Sequence, residues 1–212
     1  MAITALQVKQ LNNMNAAAQR AGLGTLLSGG AGIPDAGTLS VISTLKYAIA
    51  PALAAVNGVH AAITLVQTVT QDISTGITNP DFPRTITVDG NDANVTGDVV
   101  ITGTNIQDEE ITETIALSGT ATVAGVKAFK TVTNINVPPY AVAGTETVTI
   151  GTGAKVGFPV VIDNTGNVLA KDFDGSVDAG TVTASTTVEG SIYAAAGTFD
   201  GVKVLELTFL SE

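Results

Sequence analysis

The 212-residue chain reads as a mainly β protein, an antiparallel β-sandwich or barrel-like body preceded by a short α-helical N-terminal arm. Three observations predict this. Beyond residue 60 the chain breaks into short Thr- and Val-rich runs, punctuated by Gly, Asn, Asp or Pro roughly every ten residues, as in sandwiches and barrels. The hydrophobic fraction of 45% is mostly Ala, Val and Ile, with aromatics at 4% and no Trp, so the expected core consists of small and β-branched side chains on pleated surfaces. Helical spacing, by contrast, is confined to the start of the chain.

That spacing is carried by Val8, Leu11, Met14, Ala18 and Ala21, which predict an amphipathic helix over 4–21 with Thr4 as N-cap and Gly22 just past its end. Gly22 to Gly37 reads as a Gly-rich hinge. Leu39, Ile42, Leu45 or Lys46 and Ile49 restore helical spacing, with Thr38 or Ser40 as cap, Pro51 as terminator and Leu53 to Val56 as an extra turn. The division is an arm over 1–59, a β-body over 60–175, and C-terminal strands over 176–212 that complete the body or form a small unit.

Within the body, alternation predicts a first long strand over Ile63–Ile73, then Thr85–Val88 followed by an Asp89-Gly90 turn. A hairpin pairs Asp98–Thr102 with Ile111–Leu117, placing Val99 and Ile101 against Ile115 and Leu117. Ala128–Val137 is next, with Phe129, Thr131, Thr133, Ile135 and Val137 on one face and Pro138-Pro139 as its stop. Thr145–Ile150, Val156–Ile162, Val168–Lys171, Thr181–Ala184, Thr187–Tyr193 and Val202–Leu210 follow. No repeat is strict enough for a solenoid.

A chain of this length buries roughly 70% of its unfolded surface. The formal charge of −10 repels phosphate backbones and argues against nucleic-acid binding, while favouring solubility at high copy number. There is no Cys, so disulfides and thiolate metal sites are excluded. The first ten residues lack the basic start and apolar run of a secretory signal, and Ala48–Val66 is interrupted by Pro51, Asn57-Gly58 and His60. A soluble protein made in the cytoplasm, with no membrane partner, is expected.

No catalytic, cofactor-binding or metal-binding residue is assigned, and no enzyme is expected. His60 is the only histidine, which rules out His-pair metal sites, and no Gly-x-Ser-x-Gly elbow accompanies it. Gly151-Thr152-Gly153-Ala154-Lys155 with Gly157 lacks the full phosphate-loop pattern and reads as a hairpin turn. Asp108-Glu109-Glu110 with Glu113 is the densest carboxylate cluster; its members are expected to point into solvent, without an apolar pocket to raise a pKa. Two loops carry hard oxygen ligands at alternating positions, Asp89-Gly90-Asn91-Asp92 with Asn94 and Asp172-Phe173-Asp174-Gly175 with Asp178. Neither matches a full calcium loop, and Asx-rich turns share this composition. Asn94-Val95-Thr96 fits the N-glycosylation pattern by coincidence in a chain without a secretory signal.

Five short blocks occur in order: Gly76-Ile77-Thr78-Asn79-Pro80-Asp81-Phe82-Pro83-Arg84 with the strand after it, Val100 to Asn105, Ile111 to Thr114, Lys127 to Val132, and Ile150 to Gly157. Together they resemble tailed-bacteriophage virion structural proteins of the capsid decoration or head-auxiliary type, over roughly residues 60 to 175. Leu11 to Gly24 resembles the short helix of phage head-fibre proteins, without an extended shaft. The resemblance implies a non-enzymatic role on the capsid exterior, with the major capsid protein or other virion proteins as partners and a homo-oligomer, a trimer favoured, as the working form. Alternatives are a tail, neck or baseplate component, or a carbohydrate-binding module.

Overall fold

The structure is a computed structural model that describes residues 43–140 and 145–211. The expected helix over 4–21 and the hinge over 22–37 lie outside the described residues. Leu45–Phe209 forms one compact unit. It is mainly β, and the pairings among strands β2 to β14 are antiparallel.

In chain order the strands are β1 (Ser43–Ile49), β2 (His60–Thr64), β3 (Gln71–Ile73), β4 (Arg84–Gly90), β5 (Thr96–Thr104), β6 (Glu110–Ser118) and β7 (Val123–Phe129). They continue as β8 (Thr131–Val137), β9 (Thr147–Gly157), β10 (Val168–Phe173), β11 (Ser176–Val177), β12 (Thr181–Thr183), β13 (Ile192–Ala194) and β14 (Leu205–Ser211). One sheet runs β3-β8-β5-β6, a second β12-β13-β9-β4-β7 with β2 also on β9, and a third β1-β14-β10-β11.

The first two sheets close over a shared core that includes Ile86, Val88 and Ile150 from one and Val99, Ile101, Ile115 and Ile135 from the other. A second cluster gathers Val156, Phe158, Tyr193, Leu205, Leu207 and Phe209. The expected small-residue core holds for the first cluster, whereas seven of the nine aromatics pack in or against the second. Phe158 is its centre, edge-on to Tyr193 at 6.4 Å and to Phe209 at 5.6 Å between centroids.

Strand β9 belongs to both. Val148 and Ile150 enter the first cluster and Val156 the second. Between them the strand bulges: Arg84 lies opposite Val156 and Ile86 opposite Thr152, so Gly153, Ala154 and Lys155 face the single residue Thr85. β4 covers one edge of β9. Its other edge carries β2 at Thr147–Ile150, then the loop before β2, where Thr152 N–H donates to Ala55 C=O at 2.9 Å, then β13 at Lys155–Gly157.

Several expectations are corrected. Ser43–Ile49 is a strand, not the end of a helix: Tyr47 and Ile49 pack in the second cluster while Lys46 reaches Glu206 of β14 at 2.6 Å. Leu45 and Ile49 fit both periods, and strand pairing decides between them; the earlier part of the expected helix, Thr38 to Ile42, lies outside the described residues. Leu53 to Val56 is likewise not helical. The long strand Ile63–Ile73 is two strands, interrupted where Thr68 adopts φ 59° and Gln67 bridges Tyr140. Asp89 and Gly90 still belong to β4, and the chain turns at Asn91–Asn94 instead. Ala128–Val137 breaks at Lys130, so Phe129 pairs in one sheet and Val132 in the other. Strand β9 takes in the expected run Thr145–Ile150 from Thr147 and continues through the glycines to Gly157, so only Val156 and Gly157 of the expected strand Val156–Ile162 are strand, and Thr187–Tyr193 contributes only the short β13.

Because Phe158 is fully buried among aromatic partners, Phe158→Ala is expected to destabilise the fold by about 3–5 kcal/mol, read from urea denaturation midpoints at constant slope. A loss under 1 kcal/mol would show that the second cluster is not a cooperative part of the unit.

Candidate functional site

The most heavily bonded polar feature is the turn Asn79–Arg84. Its two prolines restrict the backbone before β4, and both Pro80 and Pro83 are buried. Asn79 Oδ1 accepts from Val132 N–H at 2.9 Å, tying the turn to β8. Arg84 is 1% exposed. Its Nε donates to the Gly153 carbonyl inside the β9 bulge at 2.7 Å, and its Nη1 donates to Ala52 C=O at 3.0 Å and Asp81 Oδ1 at 3.1 Å. Asp81 Oδ2 in turn accepts from Ala52 N–H at 2.6 Å. One guanidinium thus holds the turn, the bulge and the loop before β2 together. Its Nη2 and Thr85 Oγ1 have no hydrogen-bond partner among the described residues, so this linkage is bought at a desolvation cost.

The glycine run belongs to the same assembly. Gly151 to Lys155 lies inside β9, which overturns the hairpin-turn expectation. A Cβ on Gly151 would fall 2.5 Å from Ala55 C=O and from Thr87 Oγ1, and one on Gly153 would collide with Thr85 Oγ1. These glycines admit neighbouring chain to close range, the physical requirement a phosphate loop shares.

The carboxylates separate into distinct environments. Asp108, at φ 64° in the β5–β6 turn, pairs with Lys130 Nζ at 2.7 Å, and Glu109 accepts from Asn105 Nδ2 at 3.0 Å. Glu110 is exposed at the start of β6. Glu113 contradicts the solvent-facing expectation: it takes an inward position of β6 and is 7% exposed. Its Oε1 accepts from Val126 N–H at 2.5 Å and its Oε2 lies 3.4 Å from Lys127 N, both on β7. Lys127 Nζ donates back to Thr112 C=O at 2.9 Å. β6 and β7 are edge strands of different sheets, so these side chains close a seam that no ladder closes. A Cβ on Gly125 would collide with the Glu113 carboxylate, which explains glycine there.

Burial pushes the Glu113 carboxyl above its ordinary value, opposed by the Val126 and Lys127 N–H bonds and by the Lys127 charge.

The two oxygen-rich loops do not converge. Asp89 Oδ2 accepts from Thr122 Oγ1 at 2.6 Å, whereas Asp92 Oδ1 accepts from Asn94 N–H at 2.8 Å as an Asx turn. Asp172 sits on β10, Asp174 in the following turn at φ 53°, and Asp178 faces inward to the Tyr193 hydroxyl at 2.6 Å. Burial first, then the hydrogen bond to and charge of Asp178, push the Tyr193 phenol far above its ordinary value and keep it a donor. Among the described residues no three His, Cys, Asp or Glu side chains cluster as a metal site. His60 opens β2 with Nδ1 2.7 Å from Ala61 C=O. Asn94 and Thr96 are exposed while Val95 between them is fully buried.

No protein-family model, curated protein or solved structure matches the chain.

Arg84 stood out in the sequence only as part of the first resemblance block, and Glu113 only as a member of a carboxylate cluster expected to face solvent. An arginine after Asn-Pro-Asp-Phe-Pro and a glutamate in the alternating series Ile111, Glu113, Ile115, Leu117 were the available signals.

Two outcomes are expected. Arg84→Ala is expected to cost about 3–5 kcal/mol in denaturant melts, because it leaves the Gly153 and Ala52 carbonyls and Asp81 uncompensated. Arg84→Lys should recover only part of this, since an ammonium lacks the planar fork; full recovery would reduce the role to charge. For Glu113, a raised native pKa means the folded state binds more protons than the unfolded state just above the ordinary carboxyl range. The stability of the wild type relative to Glu113→Gln should therefore fall as pH rises from about 4 toward neutrality. A relative stability that rises over this range would mean that the N–H bonds outweigh burial.

Proposed function

We propose that the chain is a non-enzymatic structural protein of a tailed-bacteriophage virion, decorating and stabilising the capsid exterior as an oligomer, with the β-body built as a sandwich or barrel-like module. The observation that carries this reading is the ordered series of blocks that resembles such proteins, together with the way those blocks interlock. Asn79 and Arg84 of the first block bond Val132 of the fourth and Gly153 of the fifth. Blocks that carry the resemblance thus hold one another in space.

The physical character of the chain fits this role. A formal charge of −10 keeps many copies soluble before assembly and disfavours adventitious binding to the packaged nucleic acid. The partner is the major capsid protein or another virion protein, engaged through residues 1–37, and a trimer is the oligomer that the resemblance favours.

Immunogold microscopy of intact virions tests the location. Label spread over the head is the expected outcome, and label confined to the neck or tail would sink the decoration reading in favour of a connector role. Deleting residues 1–37 is expected to abolish co-sedimentation with capsids while leaving the far-ultraviolet β signature unchanged. Undiminished co-sedimentation would overturn the assignment of that segment as anchor.

A further inference from the structure

The cleft between β10 and β12 takes no part in the interactions described above. It encloses about 330 Å³ and is lined by Thr165, Val168, Lys171, Gly180, Thr181 and Val182. That volume lies at the small end of the range for ligand clefts.

One wall is fixed from behind. Asp178 is 7% exposed, and its carboxylate accepts from the Tyr193 hydroxyl at 2.6 Å and from Ala196 N–H at 3.2 Å. Gly180 lies directly against this pair: a Cβ there would fall 2.6 Å from Asp178 Oδ2 and collide with the Tyr193 hydroxyl. The wall is therefore built on a buried, satisfied network, and the cleft is set before any ligand arrives.

Among the described residues the cleft holds one cationic side chain. Lys46, Arg84, Lys130 and Lys203 each pair with a carboxylate, whereas Lys127 donates to the Thr112 carbonyl. Lys171 likewise donates to a backbone carbonyl, that of Gly180 at 2.7 Å, and stands 6.0 Å from the Tyr193 ring centroid. Its ammonium carries three N–H donors, and the carbonyl it meets does not neutralise its charge. A lysine bonded to a carbonyl and not to a carboxylate, inside a preformed cleft, is a recognition element for an anion.

We propose that this cleft binds a small hydroxylated carboxylate of the uronic-acid class. The carboxylate is held by Lys171, ligand hydroxyls by Thr165, Thr181 and the Gly180 carbonyl, and the C–H face by Val168 and Val182. The proposal stands apart from the virion reading, since either can fail alone.

The test is a titration of the full ¹⁵N-labelled chain with D-galacturonate, with D-galactose as the uncharged control. Saturable amide shifts confined to β10 and to Gly180–Val182 are expected. D-galactose should bind at least about tenfold more weakly, as should D-galacturonate to Lys171→Met, which loses one charge-assisted hydrogen bond. Thr181→Ala, at an exposed position, provides a second variant and should weaken binding several-fold with the fold intact. Absence of saturable shifts at the cleft, equal affinity for D-galactose, or wild-type affinity in either folded variant would overturn the proposal.

Discussion

The buried guanidinium of Arg84 is the constraint on which the rest of the structure depends. A charge that is 1% exposed requires bonded partners, and here Nε and Nη1 reach the β9 bulge, the loop before β2 and Asp81 of its own turn, while Nη2 is left without a partner among the described residues. The partners are separated by up to 69 residues in sequence. Each is irregular backbone that a sheet ladder does not stabilise. The bulge exposes a carbonyl to the side, the loop lacks strand partners along most of its length, and the turn is restricted by proline. A single planar donor group satisfies all three at once, which a lysine, with its three donors on one nitrogen, does not have the shape to do.

This junction explains why one strand can serve two cores. β9 contributes Ile150 to a cluster of aliphatic side chains and Val156 to a cluster rich in aromatics. A regular strand would hold strict alternation between those points. The bulge at Gly153–Lys155 resets it, and the glycines at 151 and 153 let the flanking chain approach at the same place. Local irregularity, fixed by Arg84, is what allows the same strand to change the core it faces.

Much of the β character was legible in the residues. Ile111, Glu113, Ile115 and Leu117 alternate cleanly because β6 has one face on the core, and Leu205, Leu207 and Phe209 do so for the same reason in β14. The pairing of β5 with β6 as a hairpin was legible as well, but not its register, which sets Ile101 opposite Glu113 and Leu117 opposite Gly97. What escaped the sequence was non-local. Ser43–Ile49 satisfies both helical and strand spacing, and only pairing with β14 selects the strand. The break at Lys130 leaves no mark, since Thr-rich alternation continues across it while the chain changes sheets. The glycines of β9 resembled a turn because close approach and tight turning both demand a missing side chain. The candidate sites were illegible for a similar reason. Gly180, Tyr193 and Lys171 are unremarkable in the linear chain, Asp178 stood out only as a candidate calcium ligand, and antiparallel pairing is what assembles them into a network and a cleft.

The seam between β6 and β7 has a wider consequence. Open sheet edges are templates on which other strands can grow, a hazard for any protein that is crowded against copies of itself. Here Glu113 occupies the amide of Val126 and approaches that of Lys127, while Lys127 occupies the carbonyl of Thr112. A foreign strand arriving at this border meets main-chain groups already engaged. Neighbouring molecules must then recognise one another there through side chains, so that contact between copies at this border depends on sequence and not on the generic stickiness of exposed backbone.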